Sequence, residues 1–387
     1  MKIQSKAAKS ITKCGVVFSL LSFLTGCWDL KEVNDLAIVI ATGIDKTEDE
    51  SIEVTLMVYM PNPSSGSSSD MSSGQSGNNH IISIQADTFA DAISELEIRI
   101  PRKIFWGHSN IFIFGSELAK DGLSQQTDFI IRSIEPREQA IVYISEGPAK
   151  DHIMNFIKLN IAEIFSKIPK NRAIKAVTLK DIEEIFLNIT QTGIIPVSSG
   201  YDIITASGET MAIAVNGSAV FHHGKLIDIM KGEKDIGTYW TVFPEVNFPV
   251  TVPTHEGKVT LNPIRKSYKL IPSIEHGKWK VTINIKGNLE VIQNTSTLNL
   301  IRMNDLVTLQ KETNDKIEND VRLFVEVIQK ELQADVLHFD EAFHRHYPKQ
   351  MESKKVNWQQ ELQDVEVNIQ VDTTISRTGI TNLRIEK

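Results

Sequence analysis

Cysteine is nearly absent from this chain: its 387 residues hold only Cys14 and Cys27. That excludes a disulfide framework, a thiolate zinc site and a Cys-x-x-Cys redox pair. Other signatures are missing too. No Gly-x-Ser-x-Gly elbow, His-Glu-x-x-His pair or phosphate-binding glycine loop is present. Past the first 26 residues no apolar run is long enough to cross a bilayer; Pro244 to Pro253, for instance, is short and broken by Pro249. A basic excess is lacking as well, with 41 Lys and Arg against 49 Asp and Glu. An acidic body is a poor match to nucleic acid, so a nucleic-acid partner is not expected.

What is present begins at the N-terminus. Lys2, Lys6, Lys9 and Lys13 form a positive segment without an acidic residue, and the apolar run Gly15 to Leu24 follows. This is the length of a signal-peptide core, about ten residues, well below the roughly 20 of a spanning helix. Leu24-Thr25-Gly26-Cys27 then closes it, the arrangement that lipoprotein signal peptidases accept. The expectation is cleavage before Cys27, a diacylglycerol on its thiol and acylation of its freed amine. Each buried methylene contributes about 0.8 kcal/mol, so two or three chains anchor where one would be marginal. Cys14 leaves with the leader and Cys27 is consumed by lipid, so the mature chain has no disulfide. Losing the four lysines takes its formal charge from −8 to −12. Trp28 and Asp29, beside the anchor, are candidates for docking the start of the chain onto the body or a partner, and Trp28 equally suits the lipid interface.

The remaining 361 residues exceed one compact core. Hydrophobic alternation predicts a strand over Leu36–Ala41 that turns at Gly43-Ile44-Asp45, paired with Ile52–Met60. Residues 61–79 are Ser, Gly, Asn and Gln with little to bury, a disordered loop inserted before the strand Ile81–Ala86. A helix over Thr88–Ile98 presents Phe89, Ile93 and Leu96, with Thr88 as N-cap. Further expectations are a strand over Ile104–Phe114, one or two helices over Leu118–Ile134, a strand over Ala140–Ile144, and helices over Asp151–Ile168 and Leu179–Leu187. Two glycines and a proline make Thr190–Gly200 the domain-boundary candidate.

Beyond it, a hairpin over Met211–Met230 turns at His223-Gly224, and a short helix covers Glu233–Trp240. Three strand-like runs follow: Phe248–Pro253, Val259–Ile271 and Trp279–Val291. Ile317, Val321, Phe324, Ile328 and Leu332 mark one long helix between about Asn304 and Asp335. A last strand is predicted over Val365–Ile375. The fold class is α+β and multi-domain, with mixed or antiparallel sheets, helices packed on them, and a C-terminal antiparallel sheet carrying the long helix. The expected division is 1–26 as leader, 27–196 as an α/β region with a possible split near 146, and 201–387 as an α+β domain.

Histidine supplies the remaining chemistry. His344 and His346 have metal-ligand spacing for a strand but no third ligand nearby, and read as an exposed loop. His222 and His223 read as a solvated turn. His108, within an apolar run, reads as a core histidine bonded to backbone. No catalytic residue, metal ligand or cofactor is expected.

Several motifs run in order along the chain: Gly26-Cys27-Trp28-Asp29, Glu32-Val33, Leu36-Ala37 and Ala41-Thr42-Gly43-Ile44-Asp45. Trp106-Gly107-His108 and Ile111-Phe112-Ile113-Phe114-Gly115 follow, with Leu118-Ala119-Lys120 behind them. Gly217-Ser218-Ala219-Val220-Phe221, Asp335 with Phe339, Pro348 and Trp358 complete the series. In these the sequence resembles the C subunits of bacterial spore nutrient-germinant receptors, the Ger(x)C lipoproteins. The resemblance implies a non-enzymatic three-domain α+β protein, lipid-anchored at Cys27 on the outer face of the spore inner membrane. It implies two integral-membrane partner subunits, of A and B type, and leaves open whether this subunit binds nutrient directly. The chain departs from the pattern in its long Ser/Gly insertion and in Val336-Leu337-His338-Phe339-Asp340-Glu341-Ala342-Phe343, where glycine is usual. On the residues alone two rivals stand: a solute-binding lipoprotein of a transporter, disfavoured by the long helix and single terminal strand, and an extracytoplasmic hydrolase, which lacks a visible nucleophile.

Overall fold

The computed structural model describes residues 33–61, 79–133, 136–159, 175–188, 190–205, 208–354 and 358–377. β1 (Leu36–Lys46) runs five residues past the expected strand end, through Gly43 to Lys46, before the turn to β2 (Ile52–Tyr59). β3 (Asn79–Ala86) pairs antiparallel with β2, so the Ser/Gly stretch does join neighbouring strands. That stretch, like residues 1–32, lies outside the described residues. α1 (Phe89–Arg99) begins where Thr88 accepts the Asp91 N–H, and it buries Phe89, Ala92, Ile93 and Leu96. Each such side chain is worth about 1.5–3 kcal/mol when fully buried.

The strand expected over Ile104–Phe114 is two strands. β4 (Lys103–Phe105) pairs with the start of β1 and β5 (Ile111–Gly115) with its middle, both parallel. Between them Gly107 and His108 turn, with the Ser109 N–H bonded to the Trp106 carbonyl at 2.8 Å. Buried Trp106 made the segment look continuous, but an apolar run does not reveal a turn folded within it.

α2 (Ser116–Asp121) and α3 (Ser124–Ser133) follow, then β6 (Ile141–Ser145) and α4 (Ala149–Leu159). Next come β7 (Val177–Thr178), α5 (Leu179–Leu187), β8 (Gly193–Thr205), β9 (Gly208–His222) and β10 (Lys225–Met230). The sheet order is β10-β9-β8-β6-β5-β1-β2-β3, parallel from β1 through β8 and antiparallel at both sides, with β4 beside β1 and β7 beside β6. Alternation sorts its two faces. Ile111 and Ile113 of β5 pack towards Ala149 and Ile153 of α4, while Phe112 and Phe114 join the larger core with Leu96, Leu118 and Ile182. β8 starts within the segment 190–200, and β9 and β10 are hydrogen-bonded through it into the same sheet as β1.

α6 (Glu233–Ile236) and a 3-10 turn (Gly237–Tyr239) lead to the second sheet, β11 (Val250–Pro253), β12 (Lys258–Glu275), β13 (Lys278–Asn294) and β14 (Glu366–Arg377) in that order. α7 (Met303–Glu326) continues through a π turn at Val327–Glu331, ending short of Asp335. Its stripe is as expected, with Ile317, Val321, Phe324 and Ile328 buried. α8 (Phe339–His346), α9 (Pro348–Lys354) and α10 (Trp358–Asp364) complete the fold. The α+β class holds, with one change in the C-terminal sheet: β14 lies parallel to β13, not antiparallel. The helices from α7 to α10 form a crossover that returns the chain to the end where β13 began, and that geometry requires parallel pairing.

Candidate functional site

Cys27, Trp28 and Asp29 lie outside the described residues. Among the described residues no group of three His, Cys, Asp or Glu side chains is placed to hold a metal. His108 is not in the core: it sits exposed in the β4–β5 turn, where its Nδ1 accepts from Arg137 Nη2 at 2.8 Å. His344 and His346 lie on the last turn of α8, and no loop is found there. His346 Nδ1 turns back to the Ala342 carbonyl at 2.9 Å. His223 occupies the β9–β10 turn with φ 51°, and His222 Nδ1 meets Thr192 Oγ1 at 2.9 Å.

One nucleophile-and-base pairing escaped the sequence reading. Ser198 Oγ of β8 lies 3.1 Å from His152 Nδ1 of α4. Their exposures of 0% and 3% leave no path for a substrate, and burial lowers the His152 pKa, keeping the imidazole neutral. The pair fastens a helix to a sheet.

The motif residues gather into three buried polar centres. In the first, Asp45 at the end of β1 caps α4, accepting the Ala149 N–H at 2.6 Å and the Lys150 N–H at 2.9 Å. Burial pushes the Asp45 pKa up, and the two N–H donors oppose it. The neighbouring glycines are needed for space. A Cβ at Gly43 would sit 3.0 Å from Ile153 Cγ1, and one at Gly115 would collide with the Asp45 carboxylate. The run Ala41–Asp45 and the Gly115 that ends the run Ile111–Gly115 are thus two halves of one contact.

The second centre is cationic. Lys175 Nζ meets Asp235 Oδ2 at 2.6 Å and Ser218 Oγ at 2.9 Å, over the Tyr239 ring at 4.1 Å. Thr238 Oγ1 donates to the other Asp235 oxygen at 3.1 Å. Burial pulls the Lys175 pKa down to about 8 against the attraction of Asp235. Lys266 Nζ donates to the Tyr239 and Val246 carbonyls, each at 2.6 Å, and burial brings it to about 8 too, against the attraction of Glu245. Neither lysine stood out in the sequence, where each is one cation among 41 Lys and Arg.

The third centre unites Asp335, Phe339 and Trp358. Asp335 accepts from the Phe339 N–H at 2.9 Å, the Asp340 N–H at 2.8 Å and the Trp358 indole Nε1 at 2.9 Å. Trp358, Trp279 and Phe343 pack edge-on around it. Burial raises both aspartates, and the charge of Asp335 helps carry Asp340 to about 7.

A cleft of about 490 Å³ opens between the two sheets, lined by Asp181, Glu184, Glu245, Tyr268 and Glu341 among others. Its lining is acidic, but Asp181 is occupied in the capping box of α5 with Thr178. Exposed side chains of this kind are solvated surface unless further groups converge on a ligand.

Comparison with known proteins places these centres in context. Residues 29–200 match the family model "Spore germination protein N-terminal domain", and residues 216–379 match "Spore germination B3/ GerAC like, C-terminal". Among curated proteins of Bacillus subtilis (strain 168), Spore germination protein KC is 25% identical, covering 96% of this chain and 97% of its own. Spore germination protein B3 is 22% identical over 96% of this chain and 99% of its own. The crystal structure of the GerBC protein superposes with a TM-score of 0.58 at 16% identity, covering 87% of this chain and 96% of that one, and so shares the fold.

Proposed function

The chain belongs to the GerAC family of spore germination proteins, and from that premise we propose that it is a lipid-anchored, non-catalytic subunit of a spore nutrient-germinant receptor. It is processed before Cys27 and acylated there, and it sits on the outer face of the spore inner membrane. Its partners are two integral-membrane subunits, of A and B type, and it serves receptor assembly or the relay of ligand occupancy. The observation that carries this reading is the end-to-end match to spore germination proteins across both family regions. The buried centres support it: Asp45, Lys175 and Asp335 are each spent on hydrogen bonds or an ion pair inside the fold, which suits a scaffold that acts through its surfaces.

Tethering gives such a scaffold its physical advantage. Confinement to a thin layer beside its partners raises their effective concentration, so modest polar interfaces suffice. The test is Cys27→Ala in the spore, read as membrane association, partner co-purification and nutrient-triggered germination. Loss of all three is expected. A variant that stays at the membrane, assembles and germinates normally overturns the reading, as does mass spectrometry of a mature wild-type chain with its Cys27 thiol unmodified.

A further inference from the structure

The N-terminal end of β1 is the end at which the chain arrives from Cys27. Five residues lie between Cys27 and Val33, a reach of at most about 20 Å when extended. β4 lies at this same end, because Lys103, Ala37's partner Ile104, and Phe105 pair with residues 36–38. β2 finishes and β3 begins there also, with Tyr59 opposite Asn79.

Three large apolar side chains are exposed at this end. Val33 is 59% exposed, Ile98 at the close of α1 is 83% exposed, and Phe105 is 39% exposed. Its charge also departs from that of the body. From Ile98 to Ser116 the chain carries Arg99, Arg102 and Lys103 and not one carboxylate. Arg99 leans on Glu95, and Arg102 Nη1 donates to the Pro61 carbonyl at 2.9 Å. Asp35, and Glu95 and Glu97 just before Ile98, offset the positive charge, so apolar contact leads and electrostatics assists.

We propose that this end of the first sheet, marked by Val33, Ile98 and Phe105, rests on an anionic lipid surface. The proposal rests on the lipid-anchor reading, since the short tether is what holds these side chains at the leaflet. Phe105 and Ile98 lie at the headgroup level, with the basic stretch 99–103 on the side of the anionic phosphates. The opposite end, with the turn at Thr47–Ser51, points away by the length of β1, whose 11 residues span about 33 Å.

The chemistry of the chain makes the test clean. With Cys14 removed and Cys27 acylated, a single introduced cysteine is the only free thiol. Mature lipidated chains carrying Ile98→Cys or Glu48→Cys take a fluorophore and are placed in vesicles of phosphatidylglycerol and phosphatidylcholine containing nitroxide-labelled lipid. Strong quenching at position 98 and little at 48 is expected. Replacing the anionic lipid by pure phosphatidylcholine should lower the docked-to-undocked ratio about fivefold. Equal quenching at the two positions overturns the proposal. So does shielding of position 98 that needs the integral-membrane partners, since the surface then meets protein. A chain that fails to enter the vesicle fraction, with an unmodified Cys27 by mass, overturns the anchor reading itself and is told apart by that mass.

Discussion

Lys175 and Asp235 form a buried ion pair, at 2.6 Å with side chains 1% and 6% exposed, and the two residues come from different family regions. The pair is a stitch between them: Lys175 precedes β7, Ser218 lies in β9, and Asp235 lies in α6 beside α7.

Removing one partner leaves the other charge buried alone, at a cost of about 3–5 kcal/mol. Lys175→Met and Asp235→Leu are each expected to lose stability on that scale in urea unfolding. The double variant is expected to recover most of it. Two single losses that simply add would show that the charges do not depend on each other.

The Asp45 cap predicts a second coupling. Asp45→Ala frees the Ala149 and Lys150 N–H groups and should cost about 1–2 kcal/mol. Gly115→Ala forces a Cβ into the same carboxylate and should destabilise the wild type by displacing it. In the Asp45→Ala background the added methyl should cost far less, and a double-mutant cycle in urea measures the difference.

Trp358→Phe keeps an aromatic ring in the cluster but deletes the indole donor to Asp335. A hydrogen bond to a charged acceptor is worth about 1.5–3 kcal/mol, so a fall in the unfolding free energy on that scale is expected from urea unfolding. Trp279→Phe changes the same cluster without touching the Asp335 hydrogen bond found at Trp358, and it separates packing from polarity.

The Asp335 and Asp340 pair predicts a pH dependence. The pKa of Asp340 is raised to about 7 in the folded chain, so the native state keeps a proton that the unfolded chain releases near pH 4. Stability from this source is full below about pH 4, declines as pH rises towards 7, and is level above. Asp340→Asn mimics the protonated form and should flatten that decline. Unfolding free energies at pH 5 and pH 8, compared between wild type and variant, measure it.

Much of the fold was legible locally. Thr88 and the spacing of Phe89, Ile93 and Leu96 specified α1, and the Ile317–Ile328 stripe specified α7, because an amphipathic helix writes its period into consecutive residues. The His223-Gly224 turn was equally plain, pairing a left-handed residue with glycine. The β4–β5 break was hidden because Trp106 stays buried while the backbone turns beneath it. The motif residues were legible as a series but not as contacts. Asp45 and Gly115 stand 70 residues apart, and nothing along the chain says that one leaves room for the other's carboxylate.

The sequence by itself determined the candidate anchor, the helices α1 and α7 and the α+β class, since each follows from residues within a few positions of one another. Tertiary structure alone decided that β9 and β10 extend the first sheet, that β14 runs parallel to β13, and that Lys175 and Lys266 lie buried. Strand partners and buried charges are chosen by where a long chain returns in space. That choice depends on the summed packing of the whole molecule, and no local window contains it.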